Sequence, residues 1–203
     1  MCCGLGESER RMIQTLILIA SLPQVKRNNL TSIILELYYI RNFEILLGMQ
    51  FNKKTIWITG ASSGIGKAVA LEISKARASL ILSGRNKVAL EKVAEQCGVN
   101  GSTTRIIPFD LGNEKSVEEA AQKLLSKNIK IDALYHFGGI SQRSFVSETP
   151  LYVDRKIFEI NYFGTIALTK AVLPKIIENG GGNIAVNSRI VGKFGFPCRS
   201  SYS

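Results

Sequence analysis

The pattern of apolar and polar positions changes character near residue 49. Residues 1–48 hold two apolar runs, 12–22 and 33–47, without the turn-punctuated alternation of short strands and helices. The first run is too short to cross a bilayer and lacks a small-x-small cleavage site. The second is interrupted by Glu36, Arg41, Asn42 and Glu44. We read residues 1–48 as a helical or disordered extension outside the fold, with a membrane-surface helix as the alternative.

From Thr55 the rhythm is regular. Thr55–Thr59 (TIWIT) is β-branched and aromatic and ends in a Gly-rich turn, which predicts a strand. Helical spacing follows over 67–76, a second strand at Ser79–Ser83, a helix over 88–97 and a third strand over 105–109. Residues 116–125 read as a helix opened by a Ser116-x-x-Glu119 capping box. A fourth strand is expected over 131–137, one long helix over 155–177, and a fifth strand within 182–187. Strands alternating with helices of this length require crossover connections and a parallel sheet. The predicted class is α/β, a doubly wound parallel sheet over residues 49–203.

Composition narrows this reading. Of 203 residues, 45% are hydrophobic, enough for a large core. The net charge of +10 suits an anionic ligand. The basic residues are scattered rather than clustered, so we expect no nucleic-acid partner. Cys2, Cys3, Cys97 and Cys198 show no disulfide framework or metal-ligand spacing. We expect no metal and a reducing, cytoplasmic setting, with membrane association through residues 1–48 as the alternative.

The chemistry concentrates in Thr59-Gly60-Ala61-Ser62-Ser63-Gly64-Ile65-Gly66. Gly60 permits a sharp turn, Gly64 lets backbone approach a pyrophosphate, and Gly66 permits close helix–strand packing. A helix beginning just beyond aims free N–H groups at the anion. Ala68 stands where a Mg²⁺-binding hydroxyl would be needed, which excludes a Walker-type loop. At the end of the second predicted strand, Ser83-Gly84-Arg85-Asn86 offers no carboxylate for a ribose 2′-hydroxyl. Arg85 instead suits a 2′-phosphate, so the expected cofactor is NADP(H).

These residues resemble the short-chain dehydrogenase/reductase (SDR) family, and the likeness runs from about residue 52 to 203. Residues 59–66 match the family's TGxxxGxG turn, and Asp110-Leu111 matches the pair that contacts adenine. Asn161 matches the helix asparagine of the catalytic tetrad, and Tyr202 sits at the tyrosine of YxxxK. Gly139-Ile140-Ser141-Gln142-Arg143-Ser144 is similar to the dehydrogenase/reductase member-seven group. The resemblance implies an NADP(H)-dependent oxidoreductase that interconverts a carbonyl compound and a secondary alcohol, homo-oligomeric in the family. Tyr202 would donate a proton, and Gly138 and Gly139 would lie along the cofactor.

Three departures set expectations against that implication. No Lys follows four positions after Tyr202, because the sequence ends at Ser203. Arg189 occupies the position of the family's serine. The family's Asn-Asn-Ala-Gly reads His136-Phe137-Gly138-Gly139, and His136 is read here as a structural histidine. The expectation is an inactive or incomplete copy, its sheet cut after the fifth strand and prone to aggregate. The alternative is a non-catalytic nucleotide-binding or interaction protein.

Overall fold

The chain divides into two units, Met1–Phe43 and Glu44–Ser203. The structure, a computed structural model, describes residues 51–188 and Cys198, all within the second unit. Five strands, β1 (Thr55–Thr59), β2 (Ser79–Ser83), β3 (Thr103–Ile106), β4 (Ala133–His136) and β5 (Asn183–Val186), form one sheet in the order β3-β2-β1-β4-β5. Every neighbouring pair is parallel. The connection after β3 therefore returns across the sheet to the far side of β1. Strand order reverses at β1 and β4, where a crevice opens beyond the strands' carboxyl ends.

Helices α1 (Gly64–Ser74), α2 (Lys87–Val99), α3 (Glu114–Leu125), α4 (Leu151–Phe158) and α5 (Gly164–Glu178) fill the connections. α1 packs with α2, and α3 with α5. Ile56, Trp57 and Ile58 of β1 are all fully buried, as a strand covered on both faces requires. Trp57 joins Leu124 of α3 and Leu168, Val172 and Ile176 of α5 in one apolar cluster. Its indole N–H donates to the Ser83 hydroxyl at 2.8 Å, so the buried donor is satisfied.

The predicted strands β1 and β2 match the observed spans, and three other expectations need correction. β3 lies two to three residues earlier than the apolar run suggested, because its exposed edge alternates with half-buried positions. The cap of α3 is not Ser116. Asn113 is the N-cap, its Oδ1 accepting from the Ser116 N–H at 3.1 Å, while the Ser116 hydroxyl accepts from the Asp110 N–H. The expected long helix is interrupted by a π turn, Glu159–Phe163, between α4 and α5. On one side of that turn Gly164 presses against the Leu111 carbonyl, and within it Asn161 is bonded to Ile140. β5 is the edge of the described sheet, with Val186 exposed. Among the described residues no helix is long and apolar enough to cross a membrane.

Candidate functional site

The turn after β1 is shaped by two close approaches. Gly60 has φ +67°, and a Cβ there would lie 2.6 Å from the Phe137 carbonyl and the Gly138 nitrogen. A Cβ on Gly66 would collide with the Gly60 carbonyl oxygen. Only glycine fits either place, and the chain thereby doubles back between β1 and α1. Gly64 is different: φ is +53° and nothing lies within 4 Å of its absent Cβ. Backbone is bare there toward the cleft.

The N-terminus of α1 is uncapped. Ser63 occupies the N-cap position with no side-chain cap bond, and no acidic residue stands in the first turn. The first-turn N–H groups are therefore free to bind an anion. α2 is built otherwise, since Asn86 Oδ1 accepts from the Ala89 N–H at 3.0 Å.

A cleft of about 260 Å³ lies against this turn. Of the residues expected to hold a cofactor, Gly60, Ser62, Ser63, Gly64, Ile65, Arg85, Asp110, Leu111, Gly138 and Gly139 all line it. Ala61 and Gly66 do not line it. They set the turn from behind, with the Ala61 N–H donating to the Ser83 carbonyl at 3.0 Å. Arg85 has no ion-pair partner among the described residues and faces the open cleft beside Gly84. The Asp110 carboxylate accepts from the Gly112 N–H at 3.0 Å. An open crevice with free helix N–H groups, a bare glycine and an arginine unpaired among the described residues fits a nicotinamide dinucleotide.

Thr59, which opens the turn motif but was given no contact of its own, and Ile140 and Ile160, which were not singled out, also line the cleft. The Thr59 hydroxyl accepts from the Gly138 N–H at 3.2 Å and ties the ends of β1 and β4 together. Its signal was its place as the last residue of β1. Ile160 gave none, because only the π turn brings it inward.

Asn161 does not line the cleft. Its Oδ1 accepts from the Ile140 N–H at 2.8 Å, and its Nδ2 donates to the Ile140 carbonyl at 2.9 Å. The side chain clamps the loop after β4 through both of these bonds. His136 points away too, with 2% exposure. The Thr169 hydroxyl donates to the Thr165 carbonyl, so it accepts from His136 Nε2, 3.1 Å away. The ring is then the Nε2–H tautomer, and its buried Nδ1 has no partner. Burial lowers its pKa to about 4, so the ring is neutral and structural. Burial likewise raises the neighbouring Tyr135 to about 12, which removes that phenol from proton transfer. Tyr202 and Arg189 lie outside the described residues.

The short chain dehydrogenase family model matches residues 54–203. Human dehydrogenase/reductase SDR family member 7 is 42% identical over 151 residues, covering 72% of this chain and 44% of that protein. Member 7B from Danio rerio is 40% identical over 156 residues, covering 74% and 50%. The chain thus spans about half the length of the curated relatives it matches. A short-chain type dehydrogenase/reductase from Mycobacterium ulcerans superposes with TM-score 0.70 at 26% identity, covering 75% of this chain and 57% of that one. An NAD⁺-bound xylitol dehydrogenase superposes with TM-score 0.71 at 27% identity, covering 75% and 59%. The chain belongs to the short-chain dehydrogenase/reductase family, whose members bind nicotinamide cofactors.

Proposed function

We propose that the cleft is an NADP(H) site of an oxidoreductase acting on carbonyl compounds or secondary alcohols, and that carbonyl chemistry is impaired in this chain. The observation that carries the cofactor reading is the convergence of α1's uncapped N-terminus and Arg85 on one cleft. A pyrophosphate takes the N–H groups of residues 64–66, and a 2′-phosphate takes the Arg85 guanidinium. No carboxylate stands at the end of β2 to favour an unphosphorylated ribose. Asp110 and Leu111 serve the adenine side, and Gly138 and Gly139 the nicotinamide side. Titration with NADPH and NADH tests this: NADPH binds tighter, and Arg85→Ala narrows the difference. Equal affinities would overturn it.

The impairment rests on Arg189, which stands where the family's serine would hold the substrate carbonyl. Tyr202 and Asn161 keep the family's identities, Tyr202 as proton donor and Asn161 as the clamp seen here. General acid–base partners each contribute roughly 10²–10⁴-fold. In a chain carrying the family's C-terminal region, Arg189→Ser therefore raises NADPH oxidation with aldehydes, ketones or quinones by about that factor. Equal turnover with Arg and Ser would remove the impairment. The second reading, a nucleotide-binding protein without turnover, is favoured by the same Arg189. It predicts NADPH binding with no oxidation in either version.

A further inference from the structure

Along the sequence the basic residues are scattered, but the fold gathers many of them at one end. In a parallel sheet the turns that precede the strands all lie at the amino ends, opposite the cleft. Here they are residues 51–54, 75–78, 100–102, 126–132 and 179–182. They carry Lys53, Lys54, Lys75, Arg77, Lys127 and Lys130, and Asp132 is their one acid, so six cations less one carboxylate leave +5. The segments that follow β1 to β4, residues 60–63, 84–86, 107–113 and 137–150, carry Arg85 and Arg143 against Asp110 and Glu148, a balance of zero.

The cations stand side by side. Strands β2, β1 and β4 are neighbours, and all six residues belong to the turns before these three. All six are exposed. Lys54 and Lys130 reach the same Asp132 oxygen, at 3.4 and 3.2 Å, and Lys75 pairs with Glu72 of α1 at 2.9 Å. Lys53, Arg77 and Lys127 have no ion-pair partner among the described residues. Because Asp132 sits between two of the lysines, a small anion would meet a carboxylate there. The excess lies around it, over three adjacent turns, which suits an extended anionic surface.

The one aromatic residue in these turns, Phe51, is buried, whereas polynucleotide sites commonly add stacking rings to their charges. Residues 1–50 join the fold at this same end, through Phe51–Lys54, and they hold the apolar runs 12–22 and 33–47. An apolar segment next to a basic cluster is the pairing that holds a chain on anionic lipid. Residues 1–48 supply little of the charge themselves: Arg10, Arg11, Lys26, Arg27 and Arg41 against Glu7, Glu9, Glu36 and Glu44, or +1.

We propose that this basic end of the sheet docks on an anionic lipid surface, with the cleft at the opposite end facing away from it. The test is sedimentation of the full chain with phosphatidylcholine vesicles, with and without phosphatidylserine. Phosphatidylserine raises binding, and salt near about 1 M, where the Debye length is about 3 Å, removes the gain. Lys53→Gln, Arg77→Gln and Lys127→Gln combined weaken binding to the phosphatidylserine vesicles by about fivefold per charge removed. Lys92→Gln, Lys115→Gln and Lys156→Gln combined remove the same net charge from exposed positions of α2, α3 and α4, and leave most of the gain. Should either triple variant fail to fold, the single substitutions carry the same comparison. Equal binding to both kinds of vesicle overturns the proposal, even where polyuridylate is held by the same three residues, which would assign this end to nucleic acid. Equal losses in the two triple variants overturn it as well, since net charge alone would then account for the gain.

Discussion

The two ends of the sheet treat their polar groups in opposite ways. At the amino ends of β1 and β4 the chain satisfies itself. Asp132 Oδ2 accepts from the Thr55 N–H at 2.9 Å, and Lys130 and Lys54 lie 3.2 and 3.4 Å from Oδ1. Burial opposes the Asp132 carboxylate, but the Thr55 N–H and the two lysines outweigh it and hold its pKa below the usual value. At the carboxyl ends of the same strands, α1 is uncapped, Gly64 is bare and Arg85 lines the cleft with no ion-pair partner among the described residues. A fold that closes its hydrogen bonds at one end could have closed them at the other. The difference marks the carboxyl end as a place kept for an anionic ligand.

Substitutions can break this contrast. The largest effect is expected from Gly60→Ala, which combines positive φ with a 2.6 Å approach to the backbone of Phe137 and Gly138. It should cost about 3 kcal/mol or more in denaturant unfolding and also abolish cofactor binding. Unchanged stability would mean the turn can be rebuilt without glycine.

His136 comes next. Its folded pKa of about 4 lies below the ordinary histidine value of 6.5, so the unfolded chain binds the extra proton between those values. Stability is full above about pH 6.5 and falls as pH drops toward 4, by up to about 3 kcal/mol. Urea melts at pH 7 and pH 5 should show about 2 kcal/mol of that loss, and His136→Asn should flatten it. A slope that persists in the variant would assign the loss to other groups.

The smallest pair sharpens the contrast most. Asp132→Ala strips a partner from the Thr55 N–H and should cost about 1–3 kcal/mol while sparing cofactor affinity. Arg85→Ala should do the reverse, changing stability by less than about 0.5 kcal/mol and weakening NADPH. Equal effects of both on stability would erase the distinction between the ends.

The sequence made the phosphate turn legible because its glycines stand at a fixed local spacing, with positive φ at Gly60 and Gly64 and Gly66 against the Gly60 carbonyl, although the close approach of Gly60 to Phe137 and Gly138 is long-range. β1 and β2 were equally clear, being short apolar runs with β-branched residues. What escaped depends on distant partners. The π turn at Glu159–Phe163 has no local signature, yet it brings Ile160 to the cleft and Asn161 to Ile140. The cap of α3 was misplaced because Asn113 and Ser116 are both good capping residues, and the hydroxyl was drawn instead to the Asp110 N–H.

The account turns on whether the open end of the sheet holds the phosphates. The most direct measurement is NADPH titration followed through assigned backbone amide resonances. The amides of residues 63–66 and of Arg85 should shift saturably, while those of Thr55 and Ala89, already bonded to Asp132 and Asn86, stay in place. NADH should move residues 63–66 at higher concentration and leave Arg85 largely unmoved. Saturating NADPH that fails to shift residues 63–66, or that shifts the Thr55 end instead, would contradict the account.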